Sequence, residues 1–180
     1  MIRDIHDKYH AKIMISVWAK FDPGSANHSE LERFGFLFKP LAIGHQFGSG
    51  TQYYDAFNPA ARKAYWKQMR DSLFARGIDA WWLDATEPEV GDLTQDADKA
   101  ILNNALGSGA RTLNAYSLMT TDAVYRGQRS EMSDKRLCIL TRSVFAGQQR
   151  NAAVTWTGDI EATWDVFRKQ ITNGLNFCMS

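Results

Sequence analysis

Trp81-Trp82-Leu83-Asp84-Ala85-Thr86-Glu87-Pro88 is the stretch on which the fold turns. Gly77-Ile78-Asp79-Ala80 leads into it, so an apolar strand from Ile78 to Leu83 is expected to end on a carboxylate. A carboxylate at the C-terminal end of a parallel strand lies at the mouth where barrel enzymes place their chemistry. The plainer alternative is a core strand followed by a turn, with Asp84 and Glu87 simply solvated. The stretch alone leaves both open.

On its N-terminal side, Asn58-Pro59 opens a helix, with Asn58 as N-cap and Pro59 in the first turn. Tyr65, Met69, Leu73 and Phe74 form its buried stripe, and Gly77 ends it. Further back, Ile2, Ile5 and Tyr9 share one face of a helix over residues 2–9. Lys12 to Trp18 reads as a strand whose apolar run, Ile13, Met14, Ile15 and Val17, suits a parallel strand buried on both faces. Asp22-Pro23-Gly24-Ser25 is turn chemistry, and a short helix is expected over residues 28–34. Residues 35–55 then form a long irregular excursion carrying Gly44, Gly48 and Gly50.

On the C-terminal side, residues 87–109 form a polar loop carrying Asp92, Asp96 and Asp98, with a short helix expected near 100–105 and turn material at Gly107-Ser108-Gly109. Leu113 to Arg126 is expected to be helical, with Tyr116, Met119, Ala123 and Val124 inward. Strands follow over 136–141 and 152–156. A last helix spans 161–173, with Trp164, Phe167 and Ile171 inward and Gly174 as its stop. Asn176 to Ser180 reads as the start of another strand, so the chain reads as a fragment.

Apolar strands alternating with helices are the mark of βαβ units on a parallel sheet. No dinucleotide-binding or phosphate-binding glycine loop follows any strand. The long loops all follow strand C-termini, which favours a piece of a (β/α)8 barrel over an open doubly wound sheet.

Composition narrows the function. With a net charge of +1 and no basic tract, neither nucleic acid nor an anionic membrane is an expected partner. No apolar stretch approaches membrane-spanning length. His6, His10, His28 and His45 lack metal-site spacing; His6 and His10 read as an exposed helix face. Cys138 lies in an apolar run and reads as a buried free thiol, and Cys178 is its only possible disulfide partner. Six tryptophans suit a core and equally suit a sugar-binding pocket.

A second aspartate shifts the balance toward chemistry. Thr155-Trp156-Thr157-Gly158-Asp159 ends another expected strand, and Gly158 permits a sharp turn that aims Asp159 into the mouth. Glycoside hydrolysis needs two carboxyl groups, one to attack or steady the sugar carbon and one to protonate the leaving oxygen. Arg142, in Thr141-Arg142-Ser143, can clamp sugar hydroxyls and keep an aspartate ionised. A structural ion pair at the rim is the alternative for Arg142, and for Arg150 it is the preferred reading. Trp18, at the first strand's end, is either a pocket wall or core.

Taken together these segments resemble glycoside hydrolase family 31, over almost the whole chain. Ile15-Ser16-Val17-Trp18 is similar to the end of the family's third barrel strand, and Tyr54-Asp55-Ala56-Phe57-Asn58-Pro59 to the segment before its fourth helix. Trp81 to Pro88 resembles the nucleophile motif. Thr141 to Arg150 followed by Trp156-Thr157-Gly158-Asp159 resembles the acid/base region. The resemblance implies an α/β fold, a partial (β/α)8 TIM barrel holding roughly strands 3 to 6. Residues 1–180 would be the central part of the catalytic barrel, with its first and last strands, a late histidine and the flanking β-domains outside this chain.

The resemblance also implies roles. Asp84 would be the nucleophile and Asp159 the general acid/base of a retaining mechanism. Trp18, Trp82, Glu87, Arg142 and Trp156 would bind substrate. No cofactor or metal is implied. An oligosaccharide would be the substrate, and the parent would be a homo-oligomer. Asp84-Ala85-Thr86-Glu87-Pro88-Glu89 with Gln148-Gln149-Arg150 looks like the branch rich in α-xylosidases. α-Glucosidase, transglycosylase and inactive sugar-binding relatives remain the alternatives, and compartment is left open.

Overall fold

The computed structural model describes residues 1–38, 51–88 and 103–178. Gly44, Gly48, Gly50, Asp92, Asp96 and Asp98 lie outside the described residues, as does the start of the helix expected near 100–105.

Four strands form one sheet in the order β1-β4-β7-β8: Met14–Trp18, Ala80–Asp84, Ile139–Thr141 and Ala153–Thr155. All three pairings are parallel. Trp18 is level with Asp84, Leu83 with Thr141, and Thr141 with Thr155, so the strands finish together at one end. Two-residue strands β2 (Lys20–Phe21) and β3 (Gln52–Tyr53) pair antiparallel beside that end of β1.

The helices follow from local chemistry. Helix α1 is Ile2–Tyr9. Ser25 caps α2 (Ala26–Arg33) by accepting the His28 N–H. Asn58 caps α3 (Pro59–Ser72) by accepting from Ala60 and Ala61, with Pro59 in the first turn. Helix α4 (Gly109–Thr112) is one turn; α5 (Tyr116–Glu131) outruns its expected end by five residues, and α6 is Trp164–Cys178.

Alternation divides the sheet. Trp81, Leu83, Ile139 and Thr141 are fully buried beneath α3 and α5. The Trp81 indole donates to Gln128 Oε1 on α5 at 2.7 Å and meets Trp66 of α3 edge-on at 6.0 Å. Helix α5 comes this close because residue 127 is glycine: a Cβ there would lie 2.2 Å from Trp66 Cγ. A stacked aromatic group, Tyr54 on Tyr65 at 4.6 Å with Tyr116 beside them, fills the space between α3, α5 and the β3 segment.

The opposite face, carrying Met14, Ser16, Trp82, Leu140 and Val154, is largely open, with Val154 54% exposed. The expectation that β1 is buried on both faces is therefore corrected. Helices cover one side only, and no described strand stands across from the other. Cys138 shares the open side and is exposed, not buried.

Several local expectations also change. Residues 103–108 form a small hairpin, Asn103–Asn104 (β5) with Gly107–Ser108 (β6), in place of a helix end and a plain turn. Gly174 does not stop α6, which runs on through residues expected to begin a strand. Its apolar stripe faces solvent, Trp164 at 78% exposed, with Phe167 and Ile171 also open. One interior glycine costs about 1 kcal/mol, too little to end a helix whose flanks favour it. His6 is not on a free face: its Nε2 lies 2.7 Å from Asp79 Oδ2 and ties α1 to the N-terminal end of β4.

Candidate active site

The strand ends that finish together carry most of the residues singled out from the sequence. Asp84 is the last residue of β4 and Trp18, level with it, the last of β1. Asp84 is 18% exposed. Its Oδ1 accepts the Ala85 N–H at 2.9 Å, and the buried Ala85 turns the chain away with a φ of 47°. Left-handed backbone at a non-glycine residue costs of order 1 kcal/mol and persists only where the surroundings impose it. Here it releases the chain from the sheet directly after the carboxylate.

Arg142 follows the last residue of β7. Its Nε donates to Glu87 Oε1 in a close ion pair and lies 3.9 Å from Asp84 Oδ1. One guanidinium thus faces both acids of the Asp84–Glu87 turn. At 24% exposure it is partly shielded from water, where a charge-assisted contact is stronger than on an open surface. The backbone of this junction is fixed from below. The hydroxyls of Thr86 and Thr141, both fully buried, hydrogen-bond each other, linking the turn after β4 to the end of β7.

Trp82 lies on the open face two residues before Asp84. Its ring meets Trp156, just after β8, at 5.7 Å and 85°. The pair extends an aromatic floor from β4 to β8 beside Asp84. Trp18 adds a third ring, with Lys20 Nζ 5.8 Å from its centroid and 6.0 Å from that of Tyr53. Asp159 follows Gly158, whose φ of 75° makes the turn that glycine there permits. Asp159 is exposed in this chain. Arg150 lies away from Arg142, in a groove between α3 and α5.

The Thr86–Thr141 bond and the approach of Lys20 to Tyr53 join residues far apart in the chain, so no local spacing marks them. Among the described residues no group of three or more His, Cys, Asp or Glu side chains is placed to hold a metal. No helix among them is long and apolar enough to cross a membrane.

Residues 1–180 match the glycosyl hydrolases family 31 TIM-barrel domain. An α-xylosidase of Saccharolobus solfataricus is 40% identical over 181 residues, covering 100% of this chain and 23% of the relative. The crystal structure of a family 31 α-xylosidase from Xanthomonas citri superposes with a TM-score of 0.87 at 42% identity, over 98% of this chain and 20% of that one. α-Glucosidase 2 of Bacillus thermoamyloliquefaciens is 29% identical, covering 89% of this chain and 21% of the relative. The chain thus spans between a fifth and a quarter of the length of these proteins.

Proposed function

The chain belongs to glycoside hydrolase family 31, and from that premise we propose that it is the central part of the catalytic barrel of a longer, retaining, exo-acting α-xylosidase. The substrate would be a xyloglucan-type oligosaccharide bearing a terminal α-xylosyl unit. The observation that carries the reading is the placement of Asp84 and Arg142 at adjacent parallel strand ends, Nε to Oδ1 3.9 Å, beside the Trp82–Trp156 ring pair. The α-xylosidases among its relatives support the choice of sugar.

In this reading Asp84 attacks the anomeric carbon as the bond to the leaving oxygen breaks, and Asp159 gives that oxygen its proton. A xylosyl ester on Asp84 results. Asp159, now ionised, takes a proton from water as the water oxygen attacks the same carbon. Xylose leaves with its configuration retained, Asp84 is again a carboxylate and Asp159 is again protonated. Arg142 favours the ionised nucleophile and, with Glu87, binds sugar hydroxyls. Trp18, Trp82 and Trp156 supply apolar faces for the ring. A homo-oligomeric parent belongs to the same reading and is checked by its mass in solution.

Paired rates on p-nitrophenyl α-xyloside and α-glucoside test the proposal in the full-length protein. Preference for the xyloside is expected. Preference for the glucoside would keep both aspartates and move the substrate to that of the α-glucosidase relatives. Turnover of neither would leave a sugar-binding protein without catalysis.

A further inference from the structure

Gln148 is 2% exposed and uses both ends of its amide. Its Oε1 accepts the Ser117 hydroxyl of α5 at 2.8 Å and the Phe145 N–H at 3.2 Å. Its Nε2 donates to the Ser143 carbonyl at 2.9 Å. One side chain therefore holds the two ends of the segment 143–145 and bolts it to a buried helix. That segment begins at the residue after Arg142. On its other side Arg142 is held by Thr141, whose hydroxyl bonds Thr86 and also reaches the Ser143 carbonyl at 3.3 Å. The same segment walls a crevice of about 500 Å³ shared with Thr86, Glu87, Leu113 and Asn114.

A buried amide satisfied at three points is costly to disturb, since each partner left unpaired stays desolvated without a bond. Gln148 thus holds the Phe145 N–H and ties this segment to α5. Arg142 itself stands on a short linker between two fixed points, so the direction of its guanidinium depends on both. We infer that Gln148 is a positioning residue: by anchoring residues 143–145 it sets the approach of Arg142 to Asp84 and Glu87. The inference rests on the proposed function only in assigning Arg142 to the sugar-binding machinery.

The test is a double-mutant cycle in the full-length enzyme, with Gln148→Met and Arg142→Lys made singly and together. Gln148→Met keeps length and burial but removes all three hydrogen bonds. Misplacing a group at a reacting centre by about 1 Å can cost roughly 100-fold, so a loss of roughly 10- to 100-fold in kcat/KM is expected. The loss should fall on kcat more than on KM. In the Arg142→Lys background the same change should cost less than about threefold, because the two act through one interaction. Equal losses in both backgrounds would overturn the inference, as would a loss that tracks thermal stability alone. Ser117→Ala provides the second variant: it removes only the tie to α5 and should give a smaller loss of the same kind, whereas unchanged kinetics with a folded protein would count against the inference. Absence of wild-type turnover on either glycoside would instead count against the proposed function, before any variant is compared.

Discussion

Asp84 and Asp159 differ in what their removal should do. Asp84→Ala removes the proposed attacking group, and hydrolysis by the full-length enzyme should fall by at least about 1,000-fold on every substrate, since loss of a covalent nucleophile is not compensated by leaving-group quality. Asp159→Ala removes the proposed proton donor. Its loss should be about 100- to 10,000-fold on natural glycosides and much smaller on activated aryl xylosides, whose leaving groups need no proton. Rate comparison across leaving groups checks this, and equal losses on both classes would show that Asp159 is not the acid. A third residue gives a stability prediction. Burial raises the pKa of Asp79, but the Ile13 N–H, His6 and Lys12 outweigh it and hold the carboxyl below its ordinary range. The carboxylate therefore stabilises the fold above the ordinary aspartate pKa, about 3.9, and that contribution is lost as pH falls through the lowered value. Asp79→Asn should lower the unfolding midpoint at neutral pH, with the gap to wild type closing in acid. A gap that stayed constant from pH 7 to pH 3 would contradict it.

At the scale of elements, α3 and α5 meet closely at Gly127. Gly127→Ala would put a methyl group 2.2 Å from the Trp66 ring, and that ring is boxed in by Trp81 and Phe74. Overpacking of this kind costs about 1–3 kcal/mol, readable by denaturant unfolding, and no change in midpoint would mean the helices slide apart freely. Elements whose cause is local were legible in the sequence. The Asn58-Pro59 cap, the apolar run before Asp84 and the turn at Gly158 all declare themselves within a few residues. The hairpin at 103–108 was not legible, because four polar strand residues carry no periodicity. The extent of α6 was misread because Gly174 is a weak stop when the residues around it favour helix. For the site, the strand-end acids, Arg142 and the tryptophans stood out by position. The Thr86–Thr141 bond did not, since its two hydroxyls lie 55 residues apart on neighbouring strand ends.

The whole molecule presents an unequal surface. One sheet face is sealed by α3 and α5, while the face bearing Trp82 and Val154 and the stripe of Trp164 and Phe167 on α6 are open. Exposed apolar area of this extent on a sheet and a helix is what a larger barrel would cover. The isolated 180 residues are therefore expected to show no measurable turnover under conditions where the full-length protein is active, because half of the pocket wall would be absent. Normal turnover by the isolated chain would overturn the partial-barrel account. Which sheet face would be open was not readable from the strands, whose apolar runs suit burial on both sides. The most direct test of the account is to trap the intermediate. A 5-fluoro-α-xylosyl fluoride slows both steps through its ring fluorine yet keeps a good leaving group, so a glycosyl-enzyme accumulates. Peptide mapping of the treated full-length enzyme should find one 5-fluoroxylosyl adduct, on Asp84. An adduct on any other residue, or none from an enzyme that turns over the p-nitrophenyl xyloside, would contradict it.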